Sequence, residues 1–166
     1  MSTVSFDITT GVDLQEVDNA INQARKEVAQ RYDFKGSKAA IDLDRHTNAL
    51  TLTADDEFKM QALWEIVQGR LVRRGVALKN VKLGEIEHAA GGTVRRTAEL
   101  QQGIPVDTAR QIVKFLKDRN LKKVQAAIQA DQVRVSSPSK DELQTAMQLL
   151  RQEDFGVELE FGNYRG

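Results

Sequence analysis

The chain has no cysteine, two prolines, one tryptophan and only a 5% share of aromatic residues over its 166 positions. Without cysteine there is no disulfide framework, no thiolate zinc site and no cysteine nucleophile. No apolar run approaches the roughly 20 residues that a membrane-spanning helix requires. The opening Met1-Ser2-Thr3-Val4-Ser5-Phe6-Asp7 has neither the basic nor the apolar region of a signal peptide. A soluble, cytoplasmic protein with no membrane partner is the expectation. An excess of either charge is missing as well, with 24 basic residues against 24 acidic ones. Residues 1–90 carry 12 basic and 14 acidic side chains and residues 91–166 carry 12 and 10, too small a difference to mark one half as the binding half. Proteins that grip long nucleic acid through phosphates carry a clear basic excess. A nucleotide or nucleic-acid site here must therefore be a local patch.

Catalytic signatures are absent too. There is no G-x-x-x-x-G-K-[ST] phosphate loop, since Gly36-Ser37-Lys38 lacks both the first glycine and the order. G-x-G-x-x-G, H-E-x-x-H and the nucleophile elbow are also missing. His46 and His88 have no ligand-spaced partners, Asp55-Asp56-Glu57 reads as a helix start favoured by the dipole, and Glu158 with Glu160 reads as a solvated strand face. The expectation is a non-enzymatic protein with no catalytic residues, no metal site and no cofactor.

What is present is one dense stretch, Arg31-Tyr32-Asp33-Phe34-Lys35-Gly36-Ser37-Lys38-Ala39-Ala40-Ile41-Asp42-Leu43. Three cations, two rings and a flexible glycine fall within eight positions. Cations neutralise phosphate and rings stack on bases. An ordinary helix-to-strand loop with its rings packed inward has the same composition, and residue chemistry alone leaves both readings open.

Periodicity orders the chain around it. Val4, Phe6 and Ile8 alternate as a strand. Asp13 with Glu16 has capping-box spacing ahead of the stripe Leu14, Val17, Ile21, Ala24 and Val28. Ala39, Ile41 and Leu43 form a strand face, residues 44–48 a turn, and Leu50 and Leu52 the returning strand. Thr53 with Asp56 starts a helix that buries Phe58, Ala62, Leu63, Ile66 and Val67 and stops at Gly75. Val81, Leu83 and Ile86 make a strand whose alternation slips around Gly84, which predicts a bulge. Gly91-Gly92 interrupts the pattern. Beyond it come a strand over 93–101, a helix introduced by Pro105 and closed by Asn120, and a hairpin turning at Asp131-Gln132. A helix capped by Ser139 with Glu142 follows, then a last strand with Val157, Leu159 and Phe161. Each half, 1–90 and 91–166, thus reads β-α-β-β-α-β. This is an α+β chain, a tandem of two ferredoxin-like domains.

Seven blocks carry a likeness to a known family: Ser5-Phe6-Asp7-Ile8, Val12-Asp13-Leu14-Gln15-Glu16-Val17, Arg31-Tyr32-Asp33-Phe34-Lys35-Gly36-Ser37, Thr53-Ala54-Asp55-Asp56-Glu57-Phe58-Lys59, Leu71-Val72-Arg73-Arg74-Gly75, Ala89-Ala90-Gly91-Gly92-Thr93-Val94-Arg95 and Asp131-Gln132-Val133-Arg134-Val135. The blocks Arg31 to Ser37 and Ala89 to Arg95 are specific rather than generic patterns. Through them the chain resembles, essentially end to end, the YajQ family of bacterial nucleotide-binding proteins. The resemblance implies RNP-type domains that exchange their first strands, residues 4–9 entering the C-terminal domain and 93–101 the N-terminal one. It also implies nucleotide binding, with cyclic di-GMP, GTP or ATP as ligand, RNA as a second class of partner, and a regulatory protein or DNA partner downstream.

The residues expected to bind are Arg31, Lys35, Lys38, Arg95 and Arg96 on phosphates, Tyr32 or Phe34 against a base, and Arg134 by polar contacts from the C-terminal sheet. Gly91-Gly92 reads either as a close backbone approach to an anion or as a hinge. The outward residues Gln125, Ala127, Gln129, Gln132, Arg134 and Ser136 include no aromatic ring, unlike an RNA-stacking sheet. Three readings follow: a nucleotide-binding protein, in its sharper form a cyclic di-GMP receptor; an RNA-binding module; and a protein-interaction module that uses a strand edge or an open sheet face.

Overall fold

A computed structural model describes residues 3–166, which divide into two compact units, Val12–Gln101 and the pair 3–11 with Gln102–Gly166. The elements in order are β1 (Val4–Thr9), α1 (Leu14–Gln30), β2 (Ala40–Asp44), β3 (Ala49–Ala54), α2 (Glu57–Arg73), β4 (Val81–Leu83) and β5 (Glu87–His88). They continue with β6 (Val94–Leu100), α3 (Val106–Asp118), β7 (Gln125–Gln129), β8 (Gln132–Ser137), α4 (Lys140–Gln152) and β9 (Glu160–Arg165). The chain is α+β, with two antiparallel sheets and four helices among the described residues, compatible with a two-domain ferredoxin-like arrangement.

In the Val12–Gln101 unit the strand order is β2-β3-β6-β4, and β5 also pairs with β6. Leu50 and Leu52 of β3 and Ala98 and Leu100 of β6 are buried against Val17, Ile21 and Ala24 of α1 and Met60, Leu63 and Val67 of α2. In the other unit the order is β7-β8-β1-β9. There Phe6 and Ile8 of β1 and Val133 and Val135 of β8 meet Ile112 and Leu116 of α3 and Leu143 and Met147 of α4. In both units the strands alternate, apolar side chains toward the helices and polar ones outward.

Local chemistry explains most boundaries. Asp13 caps α1 by accepting the Gln15 N–H at 2.9 Å, but the Glu16 carboxylate accepts from Asn19 rather than closing a capping box. Asp56 caps α2 at 2.7 Å from Lys59 N, while Thr53, read as the start of that helix, is a β3 residue. Gly75, at φ 76°, ends α2: its N–H donates to Val72 O, Val76 N–H reaches Leu71 O, and the Leu71 and Val76 side chains are buried. Asn120 takes φ 56° after α3, and Ser139 caps α4.

Four readings are corrected. Phe58 is 80% exposed, because the buried stripe of α2 runs through Met60, Leu63, Trp64, Val67 and Leu71 and leaves the first turn outside. The β7–β8 turn is Ala130-Asp131, with Gln132 already in β8. The last strand begins at Glu160, after the buried Val157. Gly91 and Gly92, at φ 73° and 75°, close the hairpin between β5 and β6 inside the Val12–Gln101 unit. The slip at Gly84 is present in the ladder. Leu83 faces Ala98, Glu87 faces Arg95, and between them Gly84 N–H donates to Thr97 O at 2.8 Å, where a Cβ would stand 2.9 Å from that oxygen.

Two outcomes test this arrangement. A fragment of residues 12–101 contains every strand of its sheet and is expected to fold by circular dichroism, whereas residues 1–90 lack the inner strand β6 and are expected not to. Leu52→Ala is expected to lower the urea midpoint by the equivalent of about 2–5 kcal/mol, and Phe58→Ala by less than about 0.5 kcal/mol.

Candidate functional site

The stretch that stands out in sequence folds into a compact loop between α1 and β2. Arg31 ends α1, a single 3-10 turn runs through Tyr32–Phe34, and Gly36 at φ 74° turns the chain toward β2. Nothing lies within 4 Å of a Cβ built on Gly36, so glycine is needed there for its backbone angle rather than for space. Asp55, at the end of β3, fastens the loop: it accepts from the Ser37 hydroxyl and from the Lys38 N–H at 3.1 Å. The Ser37 hydrogen bond, followed by that of Lys38 N–H, holds the Asp55 carboxyl below its ordinary pKa. Lys59, in the first turn of α2, adds a second tie by donating to Asp33 O.

Beside this loop lies a pocket of about 550 Å³, a size that takes a small molecule. Phe34, Ile41 and Leu63 give it an apolar lining, and Arg25, Lys35 and Ser37 give it polar groups. The Arg25 guanidinium donates to Ile41 O and, at 3.1 Å, to the Asn22 side chain.

The structure brings five of the eight expected binding residues into this loop, in unequal condition. Arg31 is committed: it grips Asp33 with two hydrogen bonds, at 3.0 and 2.9 Å, which raise its own pKa and lower that of Asp33. Phe34 is 4% exposed, with the Arg31 and Lys59 cations 5.6 and 5.3 Å from its ring centre, so its faces are already occupied. Tyr32 is 88% exposed and open to stacking. Lys38 reaches Gly91 O at 3.4 Å, which sets the Gly91-Gly92 turn beside the loop. Lys35 is exposed on the pocket wall, and among the described residues no hydrogen bond or ion pair engages its ammonium.

The three arginines outside the loop are each occupied. Arg95 points from the outer face of β6 and lies 3.5 Å from Glu87, its cross-strand neighbour. Arg96 points to the helix side and donates to Gly84 O at 2.7 Å. Arg134 belongs to the other unit, where it donates to Asp7 at 2.9 and 3.3 Å. Asp7 is 5% exposed and also accepts from Asn163. The Arg134 hydrogen bond, ahead of that from Asn163, keeps its carboxyl below the usual range. Asp55, Lys59 and Arg25 build the site and escaped the sequence reading. The signal for Asp55 was its place one residue before the true cap, where a carboxylate has no capping task. Among the described residues no group of three metal-ligating side chains is gathered, and no helix is long and apolar enough to cross a membrane.

A family model described as nucleotide-binding protein YajQ-like matches residues 4–165. The chain is 46% identical over 165 residues to a nucleotide-binding protein of Elusimicrobium minutum (strain Pei191), covering 99% of this chain and 100% of that protein. It is 48% identical over 165 residues to one of Koribacter versatilis (strain Ellin345), with 99% of each covered. With one of Geotalea uraniireducens (strain Rf4) it shares 46% over 161 residues, 97% of this chain and 98% of that one.

The Asp7–Arg134 pair can be tested without any ligand. A carboxylate with a depressed folded pKa stabilises the fold fully above its unfolded value, near 3.9, and loses that contribution as pH falls through the folded value. Asp7→Asn is expected to lower Tm by several degrees at pH 7, with the gap to wild type closing below about pH 4. A gap that stays constant from neutral to acid pH would count against the ion pair.

Proposed function

The chain belongs to the YajQ-like family of nucleotide-binding proteins, and on that footing we propose that it binds a nucleotide in the pocket beside the Arg31–Lys38 loop, without catalysing a reaction. The observation that carries this reading is the state of Lys35. Among the described residues no hydrogen bond or ion pair engages its ammonium, it stands on the wall of a partly apolar pocket, and the same loop carries the exposed ring of Tyr32. A free cation suits a phosphate, and an exposed ring suits the face of a base.

Charge narrows the ligand. Arg31 is neutralised by Asp33, Arg95 faces Glu87 and the Arg25 guanidinium on the pocket wall is taken up by Ile41 O and the Asn22 side chain, which leaves Lys35 on that wall and the lightly held Lys38 near it in sequence as the cations most available to phosphate. Two cations match a ligand with two negative charges better than a triphosphate, which carries about four and is usually accompanied by Mg²⁺. A cyclic dinucleotide such as cyclic di-GMP therefore fits better than GTP or ATP. On this reading its binding serves to regulate a partner.

The RNA reading is weaker for this unit. The outward face of its sheet carries Asp42, Asp44, Glu87 and Glu99 against Lys82 and Arg95, an acidic balance that repels a tracked phosphate backbone.

Calorimetric titration with cyclic di-GMP, GTP and ATP, and with a short RNA at two salt concentrations, separates these readings. Saturable binding of cyclic di-GMP is expected, weakened about tenfold or more by Lys35→Ala and also reduced by Tyr32→Ala. Unchanged affinity in a folded Lys35→Ala variant would place the site elsewhere. Binding of RNA alone, with a steep salt slope, would favour the second reading.

A further inference from the structure

β7 is the edge of its sheet, and among the described residues it pairs with β8 on one side only. Exposed edges in natural proteins are usually blunted by charge, proline or a bulge. Gln125-Ala126-Ala127-Ile128-Gln129 has none of these, and all but Ala126 are exposed. Ile128 lies across from the buried Val133, hence on the helix-packed side of the sheet, yet it remains 41% exposed because nothing flanks it at the edge.

The hairpin determines which backbone groups face outward. Gln129 and Gln132 pair across a two-residue turn, so that pair exchanges both of its hydrogen bonds. The alternation then gives Ala127 and Gln125 the same inward role. The N–H and C=O groups of Ala126 and Ile128 point to the open edge.

We propose that β7 pairs antiparallel with β7 of a second copy of this chain, about a two-fold axis through Ala127. The strand is close to self-complementary, as an isologous interface requires. In this register Gln125 faces Gln129 of the second copy, Ala126 faces Ile128, and Ala127 faces itself. Parity is satisfied: Ala126 and Ile128, the residues with unpaired backbone groups, form the hydrogen-bonded pairs, and Ala127 forms the non-hydrogen-bonded pair on the axis. Sliding the strands by two residues in either direction leaves fewer of the five residues paired and loses the match of Gln125 with Gln129. Ile128 is covered in the pair by Ala126 of the second copy. A five-residue edge lies at the small end of protein interfaces, so association is concentration-dependent rather than obligate. The proposal is independent of the nucleotide reading, since it involves the other unit.

The absence of cysteine makes the test direct. An antiparallel non-hydrogen-bonded pair has Cα atoms about 4.5 Å apart, within the range a disulfide spans. Ala127→Cys, the sole thiol of its variant, is expected to form a covalent dimer under mild oxidation at least about tenfold faster than Gln152→Cys, an exposed control at the end of α4, because pairing raises the local thiol concentration. Adding Ala126→Pro removes an edge N–H that the hairpin does not use, a tolerated place for proline. It is expected to abolish the advantage with an unchanged circular dichroism spectrum; Ile128→Lys replaces it if the spectrum changes. Sedimentation of the unmodified protein is expected to show reversible dimers at high concentration. Cross-linking no faster than the control, or equally fast with the edge blocked, would overturn the proposal. So would reversible dimers that survive both edge variants.

Discussion

Both edges of β1 are hydrogen-bonded, to β8 on one side and β9 on the other, and this double ladder makes one folded unit of residues 3–11 and Gln102–Gly166. The strand does two tasks at once. Phe6 and Ile8 enter the core with no exposed surface, while Asp7, between them, meets Arg134 and Asn163 on the opposite face. A slip of one residue would put the carboxylate among leucines and the phenyl ring in water, so the register is held by burial and charge together. The Val12–Gln101 unit has no such dependence. Its inner strand β6 pairs with β3 and β4 from the same continuous segment.

How much of this is legible in sequence follows from how local each cause is. The starts of α1 and α4 follow from a side-chain cap, the start of α3 from Pro105, and all three from a 3.6-residue stripe, each contained in a dozen or so neighbouring residues. The bulge at Gly84 is legible because a broken alternation is itself local. Phe58 is where the stripe misleads. A large apolar ring in a first turn extends the pattern on paper, but the helix meets its sheet only from Met60 onward. Which sheet a strand joins is not a periodic property, and only likeness to a family pointed to the place of β1.

The site shows the same limit in its chemistry. Composition identifies cations but not their partners. Arg31 and Asp33 are two apart, and their pairing could be guessed; Arg134 and Asp7 are separated by 127 positions, and theirs could not. Of the cations that made the basic stretch conspicuous, Lys35 alone is uncommitted among the described residues. Residues absent from any reading of the stretch decide the loop's shape: Asp55 ties Ser37 and Lys38 down, and Lys59 holds the carbonyl of Asp33. The position of such a loop depends on these ties as much as on its own residues.

The remote pairing of β1 also has a temporal side. On the ribosome β1 emerges well before its partners, residues 133–137 and 160–165. At usual elongation rates, roughly 6–25 s separate β1 from β8. The Val12–Gln101 segment is complete before then, so this unit can form during translation while Val4, Phe6 and Ile8 wait uncovered. During that interval the apolar N-terminal strand is the part of the nascent chain most open to holding chaperones and to mispairing with the strand edges of neighbouring chains.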